Sequence, residues 1–376
     1  MSDFLDAHRW LVRDTHGIDF FLVPEFVSKV KEFFKRDYSD EELVEFFHIE
    51  TYAREEFVPR LIRQCDAKNI LEYTELSKSE SMTSQTREGI KKKKLYEVER
   101  LALLVDTEAQ KLGVKYLVDF GGGLGHMAMK MTSLGYSVIV VDGDQKLLDK
   151  IPSGIETVSM MVTHDKLGEL EGRICDLLNG EPCLFYSLHA CGSLSDCMIN
   201  LYCRMAQAKG IVNVGCCYNR IDYSVGRTRW SMNEKMAACQ CPKTWRYSFH
   251  DFVRSGWLNF YRAVLQDVAK RKAFQLISPK LSNIKLEDPT NFTNYFSEAQ
   301  KRTGLSIAHE EYSEYVEFKR LYSTWWAVRA ALGQSIEARI IRERADYIRE
   351  HSLDVQVYRI FDIRESPRNY TILSHK

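Results

Sequence analysis

The chain has 376 residues, 45% of them hydrophobic, with 52 lysines and arginines set against 52 aspartates and glutamates. That length is enough to bury the core of one large domain or two ordinary ones, and a formal net charge of zero excludes a global electrostatic pull toward nucleic acid or membrane, so any basic surface must be local. No run of about eighteen apolar residues occurs, the start Met1-Ser-Asp-Phe-Leu-Asp6 lacks the pattern of a signal peptide, and ten cysteines that include adjacent Cys216 and Cys217 predict reduced thiols. The expectation is a soluble protein without a membrane span, cytoplasmic and/or nuclear.

Residues 1–88 carry helical patterns and almost no strand signal. Pro24 opens one helix, on which Phe26, Val27, Val30, Phe33 and Phe34 recur at helical spacing. Ser39-Asp-Glu-Glu42 fits a capping box before Leu43, Val44, Phe46 and Phe47, and these aromatics predict the core of a helical subdomain. Ser77 to Thr86 reads as a linker or loop. Arg87 to Arg100 then leads into a helix through about Leu112, and its run Lys91, Lys92, Lys93, Lys94 suits a solvated face, a nuclear import signal or a contact with a polyanionic substrate.

The stretch from Tyr116 to Met129 predicts strand, glycine turn and helix. Asp119-Phe-Gly121-Gly-Gly123-Leu-Gly125 places an acid two residues before a Gly-x-Gly-x-Gly run, which suits the cationic amino-acid end of S-adenosylmethionine. A dinucleotide fingerprint can also be laid on Gly123, Gly125 and Ala128, but it leaves Asp119 close to a pyrophosphate, an unfavourable charge pairing. The next strand, Ser137 to Asp142, ends in an acid about twenty residues on, where either cofactor offers ribose hydroxyls.

Strand and helix patterns continue to alternate: a helix Gln145 to Lys150, a strand Glu156 to Thr163, a helix near Gly168 to Asp176, a strand Cys183 to His189, a helix Ser195 to Ala206 and a strand Gly210 to Gly215. Such alternation predicts a parallel sheet covered by helices on both faces, with ligands at the carboxyl ends of the strands. On that rule Asp119, Gly121, Asp142, Asp165, His189, Cys191, Cys216, Cys217 and Tyr218 converge on one crevice. Residues 219–351 exceed what one crossover needs, and Tyr315, Phe318, Tyr322, Trp325, Trp326 and Ile336 suggest long helices there, an insertion suited to covering the crevice and selecting a substrate. The chain closes with strand signals at Asp354–Asp362 and Asn369–Ser374 around a turn at Ser366-Pro-Arg368, so an antiparallel hairpin is expected.

Four stretches together resemble the methyltransferase-like 25 family, part of which carries the label "ribosomal RNA adenine dimethylase domain-containing". They are Glu88 to Val98; Val118 to His126; His189-Ala-Cys191-Gly with Gly215-Cys-Cys217-Tyr218; and Ser366-Pro-Arg-Asn369 to the end. A more distant similarity is to tRNA 2'-O-methyltransferases with a His-Leu-Cys-Gly motif. The resemblance implies an α/β, Rossmann-like class I methyltransferase sheet, mostly parallel with an antiparallel terminal hairpin strand. In this reading residues 1–88 form a helical N-terminal region, 89–218 the S-adenosylmethionine-binding core, 219–351 a helical cover and 352–376 the strands that complete the sheet. It implies that Asp119, Gly121, Gly123 and Gly125 hold S-adenosylmethionine, with Asp142 at its ribose and Asp165 near its adenine; His189, which ends the fourth strand, can separately be read as hydrogen-bonded beneath the cofactor to hold the loop. Tyr96 stands where that family usually has histidine, and the Asn/Asp-Pro-Pro-Tyr motif of adenine dimethylases is absent after the fourth strand, so the adenine dimethylase label is not supported.

Among catalytic candidates, His189 is placed to act as a general base for a hydroxyl acceptor, and Tyr218 with Asn219 to orient one. Cys191 and the pair Cys216 and Cys217 occupy the strand ends where a thiolate would add to carbon 6 of a pyrimidine before methylation at carbon 5. His189, Cys191, Cys216 and Cys217 also make a zinc set on paper, but the adjacency of Cys216 and Cys217 and the missing Cys-x2-Cys spacing argue for free thiols, and no metal is expected. The leading expectation is an S-adenosylmethionine-dependent methyltransferase acting on RNA or a ribosomal or other translation-related protein. The alternatives are a non-catalytic binding module on the same fold and an NAD-dependent oxidoreductase.

Overall fold

A computed structural model describes residues 6–37, 71–72, 74–75, 91–239, 249–276, 281, 284 and 291–376. The capping box at Ser39, the helix after it and the polar stretch Ser77 to Thr86 lie outside the described residues. The chain divides into two compact units, one made of Met1–Asp66 with Ser231–Ile336, the other of Ala67–Trp230 with Glu337–Lys376. This differs from the four consecutive segments expected: the N-terminal region and most of the insertion make one unit together, while 219–230 and 337–351 go with the sheet.

The second unit is built on an eight-stranded sheet. Its strands are β1 (Thr74–Glu75), β2 (Tyr116–Phe120), β3 (Ser137–Asp142), β4 (Glu156–Ser159), β5 (Cys183–Cys191), β6 (Ala208–Cys216), β7 (Asp354–Arg359) and β8 (Tyr370–His375), in the spatial order β1-β7-β8-β6-β5-β2-β3-β4. All neighbours pair in parallel except β8, which runs antiparallel to both β6 and β7. The strands β2, β3, β5 and β6 are near-continuous apolar runs because helices cover both faces. The expected terminal hairpin is present as the β7–β8 pair, Asp354 opposite His375. The two-residue β1 at the open edge was not expected, since residues before 88 gave almost no strand signal.

The four helices that matter for the site are α1 (Lys92–Leu112), α2 (His126–Ser133), α3 (Leu194–Arg204) and α4 (Lys319–Glu350). On α1 the buried residues Glu97, Val98, Leu101, Ala102, Val105, Glu108 and Ala109 fall on one stripe, and Gly113 in a left-handed conformation ends the helix. From β2 the chain steps outward to β3 and β4, then returns past β2 to lay down β5 and β6 on its other side. The gap between the carboxyl ends of β2 and β5 is therefore the topological switch point, where open α/β sheets bind ligands.

In the first unit the helix Pro24–Asp37 and the 3-10 turn Gly17–Leu22 pack aromatic side chains together: Phe20 lies 4.7 Å from Trp325 and 5.1 Å from Tyr322 between ring centroids. Phe26 and Val30 are buried, as their spacing predicted. No described helix is long and apolar enough to cross a membrane.

Candidate functional site

The glycine turn between β2 and α2 is shaped by two different steric demands. Gly121, Gly123 and Gly125 all have positive φ, at 72°, 57° and 70°, which residues with a Cβ adopt reluctantly. Gly122 is needed for space instead: a Cβ there would lie 2.7 Å from Val140 Cγ1 and 2.9 Å from Asp119 Oδ2. The backbone thus lies directly over the Asp119 carboxyl, while a Cβ at Gly123 would meet only Leu147 Cδ1, at an ordinary contact distance of 3.9 Å.

Asp119 is only 1% exposed, and its Oδ2 has no hydrogen-bond partner among the described residues. Burial pushes its carboxyl up to about 7; the Tyr186 hydroxyl and the Lys94 ammonium oppose that rise and Asp142 adds to it. Tyr186 is the register partner of Asp119 on β5, fully buried and also without a well-formed hydrogen bond. Two adjacent buried polar groups that satisfy each other this poorly are expensive in a finished core. At the switch point they fit a polar, cationic ligand.

Asp142, at the end of β3, accepts from Gly123 N at 2.9 Å through Oδ2 and from Asp144 N at 2.9 Å through Oδ1. Each oxygen keeps a lone pair, so the carboxylate braces the glycine loop and can still receive a hydroxyl. Asp165 is exposed on the short 3-10 turn His164–Lys166 beyond β4. The donor set and the glycine cradle therefore fit S-adenosylmethionine: Asp119 would face its amino-acid end, Asp142 its ribose and Asp165 the side of its base.

His189 sits on β5 where the pairing with β6 slips between Leu188 and Ala190, and its φ is 71°. This bulge leaves its ring 24% exposed with Nε2 3.1 Å from Oε1 of the buried Glu97 on α1. Burial alone would raise the Glu97 carboxyl, but the bond and charge of His189, the Ser366 hydroxyl and Lys93 hold it down to about 2. Glu97 was not singled out in the sequence, although it lies four residues before Leu101 and on the same buried stripe. The terminal motif belongs to this cluster too, through Ser366.

The thiols lie beside it. Cys191 and Cys216 are register partners at the ends of β5 and β6, with their sulfurs 3.1 Å apart, and Cys217 Sγ is 3.6 Å from Cys216 Sγ. Hydrogen bonding by Cys216, against an opposing effect of burial, and then Cys217, His189 and Arg220 favour the thiolate of Cys191, while Cys216 stays a thiol.

Tyr218 does not take the expected place. It is 1% exposed, and its hydroxyl donates to Glu337 Oε1 at 3.1 Å, with Arg344 and Arg368 each 5.8 Å from its ring. Burial beside the Glu337 carboxylate raises its phenol well above the ordinary value. Tyr218 is a wall of the core and presents no group to an acceptor. Tyr96 accepts from Asp362 N at 2.8 Å and so ties α1 to the β7–β8 connection. The lysine run is divided by the first turn of α1: Lys91, Lys92 and Lys93 are exposed, while Lys94 is half-buried and close enough to act on Asp119 and His126.

Residues 93–224 match a family model described as a methyltransferase domain. The chain is 25% identical over 256 residues to "Probable methyltransferase-like protein 25" of Homo sapiens, a match covering 58% of this chain and 40% of that protein. It is 24% identical over 233 residues to the Mus musculus protein of the same name, covering 52% of this chain and 38% of that one. The matched region thus spans about two fifths of the curated relatives' length. The resemblance to the methyltransferase-like 25 family is borne out, and so is the Rossmann-like methyltransferase sheet.

Proposed function

We propose that this chain, whose sheet carries a methyltransferase domain, is an S-adenosylmethionine-dependent methyltransferase of the cytoplasm and/or nucleus whose acceptor is RNA or a ribosomal or other translation-related protein. The observation that carries the donor is the buried carboxyl of Asp119, with an unpartnered oxygen beneath a glycine cradle at the switch point. When bound, S-adenosylmethionine would supply an electrophilic methyl group that passes to an acceptor oxygen or nitrogen, with S-adenosylhomocysteine as the leaving group. The chain's own task is then to hold donor and acceptor at about 3–3.5 Å. His189, steered by Glu97, is placed to take the proton of a hydroxyl acceptor. Lys91, Lys92 and Lys93, exposed at the start of α1, suit a phosphate backbone.

Calorimetric titration with S-adenosylmethionine, S-adenosylhomocysteine and NAD tests the donor. Binding of the first two is expected; binding of NAD alone overturns the proposal, and binding of none points to a non-catalytic module. Transfer of tritiated methyl into fractionated lysate, followed by nuclease or protease treatment of the labelled pool, then decides between RNA and protein.

A further inference from the structure

The sulfurs of Cys191, Cys216 and Cys217 all lie within 4.8 Å of one another. Two features of the backbone bring them together. Cys191 and Cys216 are paired across neighbouring parallel strands, so their side chains leave the sheet on the same side. Cys217, as the next residue of a regular strand, would point to the opposite side; its φ of 50° turns it back, in a conformation disfavoured for any residue with a Cβ. The adjacency that argued against a shared ion in the sequence is thus removed by one left-handed residue. The loop is held in that shape by Gly192 N donating to Cys216 O at 3.0 Å and Arg220 N donating to Cys217 O at 2.8 Å.

We propose that Cys191, Cys216 and Cys217 form a three-thiolate site for a soft d10 cation, with Zn2+ the ion the geometry fits. Zn–S bonds of about 2.3 Å in a tetrahedron set neighbouring sulfurs about 3.8 Å apart; the observed 3.1 Å and 3.6 Å contacts, with every pair inside 4.8 Å, need only small side-chain rotations to meet that spacing. Thiols are weak hydrogen-bond donors, so three of them facing one another gain little by themselves. A cation gives the arrangement a purpose. On binding, the remaining thiol protons go to solvent and three thiolates with one Zn2+ leave a net charge of minus one, which the nearby Arg220 offsets. Cys191 is exposed, which provides an entry path and leaves the fourth coordination position to water or an incoming ligand. The site stands at the ends of β5 and β6 and does not depend on the methyl-transfer reading.

The test uses the full chain, reduced and stripped of metal, titrated with Co2+ as a spectroscopic stand-in. One equivalent is expected to produce thiolate-to-cobalt charge-transfer absorption with intense tetrahedral d–d bands, which Zn2+ then bleaches. Cys191→Ser and Cys217→Ser should each weaken Zn2+ binding by at least about tenfold, and Cys203→Ser, on α3, should change nothing. Because Cys216→Ser can disturb folding, the wild-type protein gives a second measurement: Zn2+ should shield Cys191, Cys216 and Cys217 from alkylation, read by peptide mass spectrometry. The proposal is overturned if no thiolate–cobalt band forms, if the band survives in a Cys191→Ser/Cys217→Ser protein, or if the cluster is recovered only as a Cys191–Cys216 disulfide that takes up no metal after reduction.

Discussion

His189 Nε2 lies 3.1 Å from Oε1 of Glu97, joining a bulged, left-handed residue of β5 to the buried face of α1. A strained backbone position persists only when its surroundings hold it. Here the surroundings are a buried carboxylate that also interacts with Ser366, so three segments far apart in sequence fix one imidazole. The Glu97 carboxyl is held low, at about 2 against an ordinary 4.5. A depressed carboxyl contributes stability above its unfolded pKa and loses it as pH falls toward the folded value.

Glu97→Gln should therefore lower stability near neutral pH by roughly 1–3 kcal/mol. The gap from wild type should close as pH falls from about 5 toward 2. Urea unfolding of both proteins across that range measures it. A constant gap would mean that shape at this position, and not charge, is what the fold uses.

Asp119 has the opposite sign. Its folded carboxyl is raised from 3.8 to about 7, so as pH climbs through that window the unfolded chain ionises first and the ligand-free fold is penalised, by an amount on the order of 2–4 kcal/mol at neutral pH. Asp119→Asn should be at least as stable as wild type without ligand and yet bind S-adenosylmethionine at least about tenfold more weakly at pH 7.5, because a cationic end needs the ionised acid. The wild-type advantage should shrink toward pH 5.5, where the carboxyl is protonated. Equal affinities at pH 7.5 would place the cationic end elsewhere.

The glycines separate fold from ligand. Gly122→Ala drives a Cβ into Val140 and the Asp119 carboxyl and should lower the melting temperature. Gly123→Val meets only Leu147 at an ordinary contact distance, so its effect on folding should be limited to left-handed strain of about 1–2 kcal/mol, while the change of loop conformation and the added bulk should weaken the cradle's hold on a ligand. A folded Gly123→Val protein with wild-type affinity for S-adenosylmethionine would show that the cradle is not the cofactor site.

Much of this arrangement was legible in the chain. Alternating strands and helices gave the parallel sheet, the hairpin flanking Ser366-Pro-Arg368 gave its antiparallel member, and the rule of strand ends set Asp119, His189, Cys191 and Cys216 toward the carboxyl ends of neighbouring strands. What was not legible depends on single dihedrals and on contacts between distant segments. Nothing local marks Cys217 as left-handed. Glu97 resembles the solvated acids beside it unless it is laid on the helical stripe with Leu101 and Val105. Tyr218 looked available because it follows β6, but Glu337, 119 residues later, takes its hydroxyl. The union of residues 1–66 with 231–336 leaves no periodic trace at all.

The exposed lysines can be tested apart from the donor. Replacing Lys91, Lys92 and Lys93 with alanine should weaken binding of an RNA acceptor and flatten the log-log salt dependence by roughly one unit for each phosphate no longer neutralised, leaving S-adenosylmethionine affinity unchanged. Lys94 is kept, because its charge acts on Asp119. An unaltered slope would return the run to ordinary solvated surface.

Beneath the same strand ends, Arg344 of α4 and Asp196 of α3 form an ion pair at 2.5 Å in which both side chains are fully buried. The guanidinium also reaches Gly192 O at 3.4 Å, and Asp196 accepts from Val225 N at 3.1 Å, so the pair fastens the turn after β5 to the segment following β6. Removing one partner strands the other charge in the buried interior. Arg344→Ala or Asp196→Ala alone should cost about 3–5 kcal/mol. An apolar pair of similar volume avoids both desolvation penalties, so Arg344→Met with Asp196→Leu should recover most of that loss and give a coupling energy above about 1 kcal/mol in a double-mutant cycle. If the double variant is as stable as wild type but binds S-adenosylmethionine more weakly, the ion pair is retained to position the turn and not to hold the fold. Additive losses would show that the two residues act independently, each through its own contacts with Gly192 and Val225.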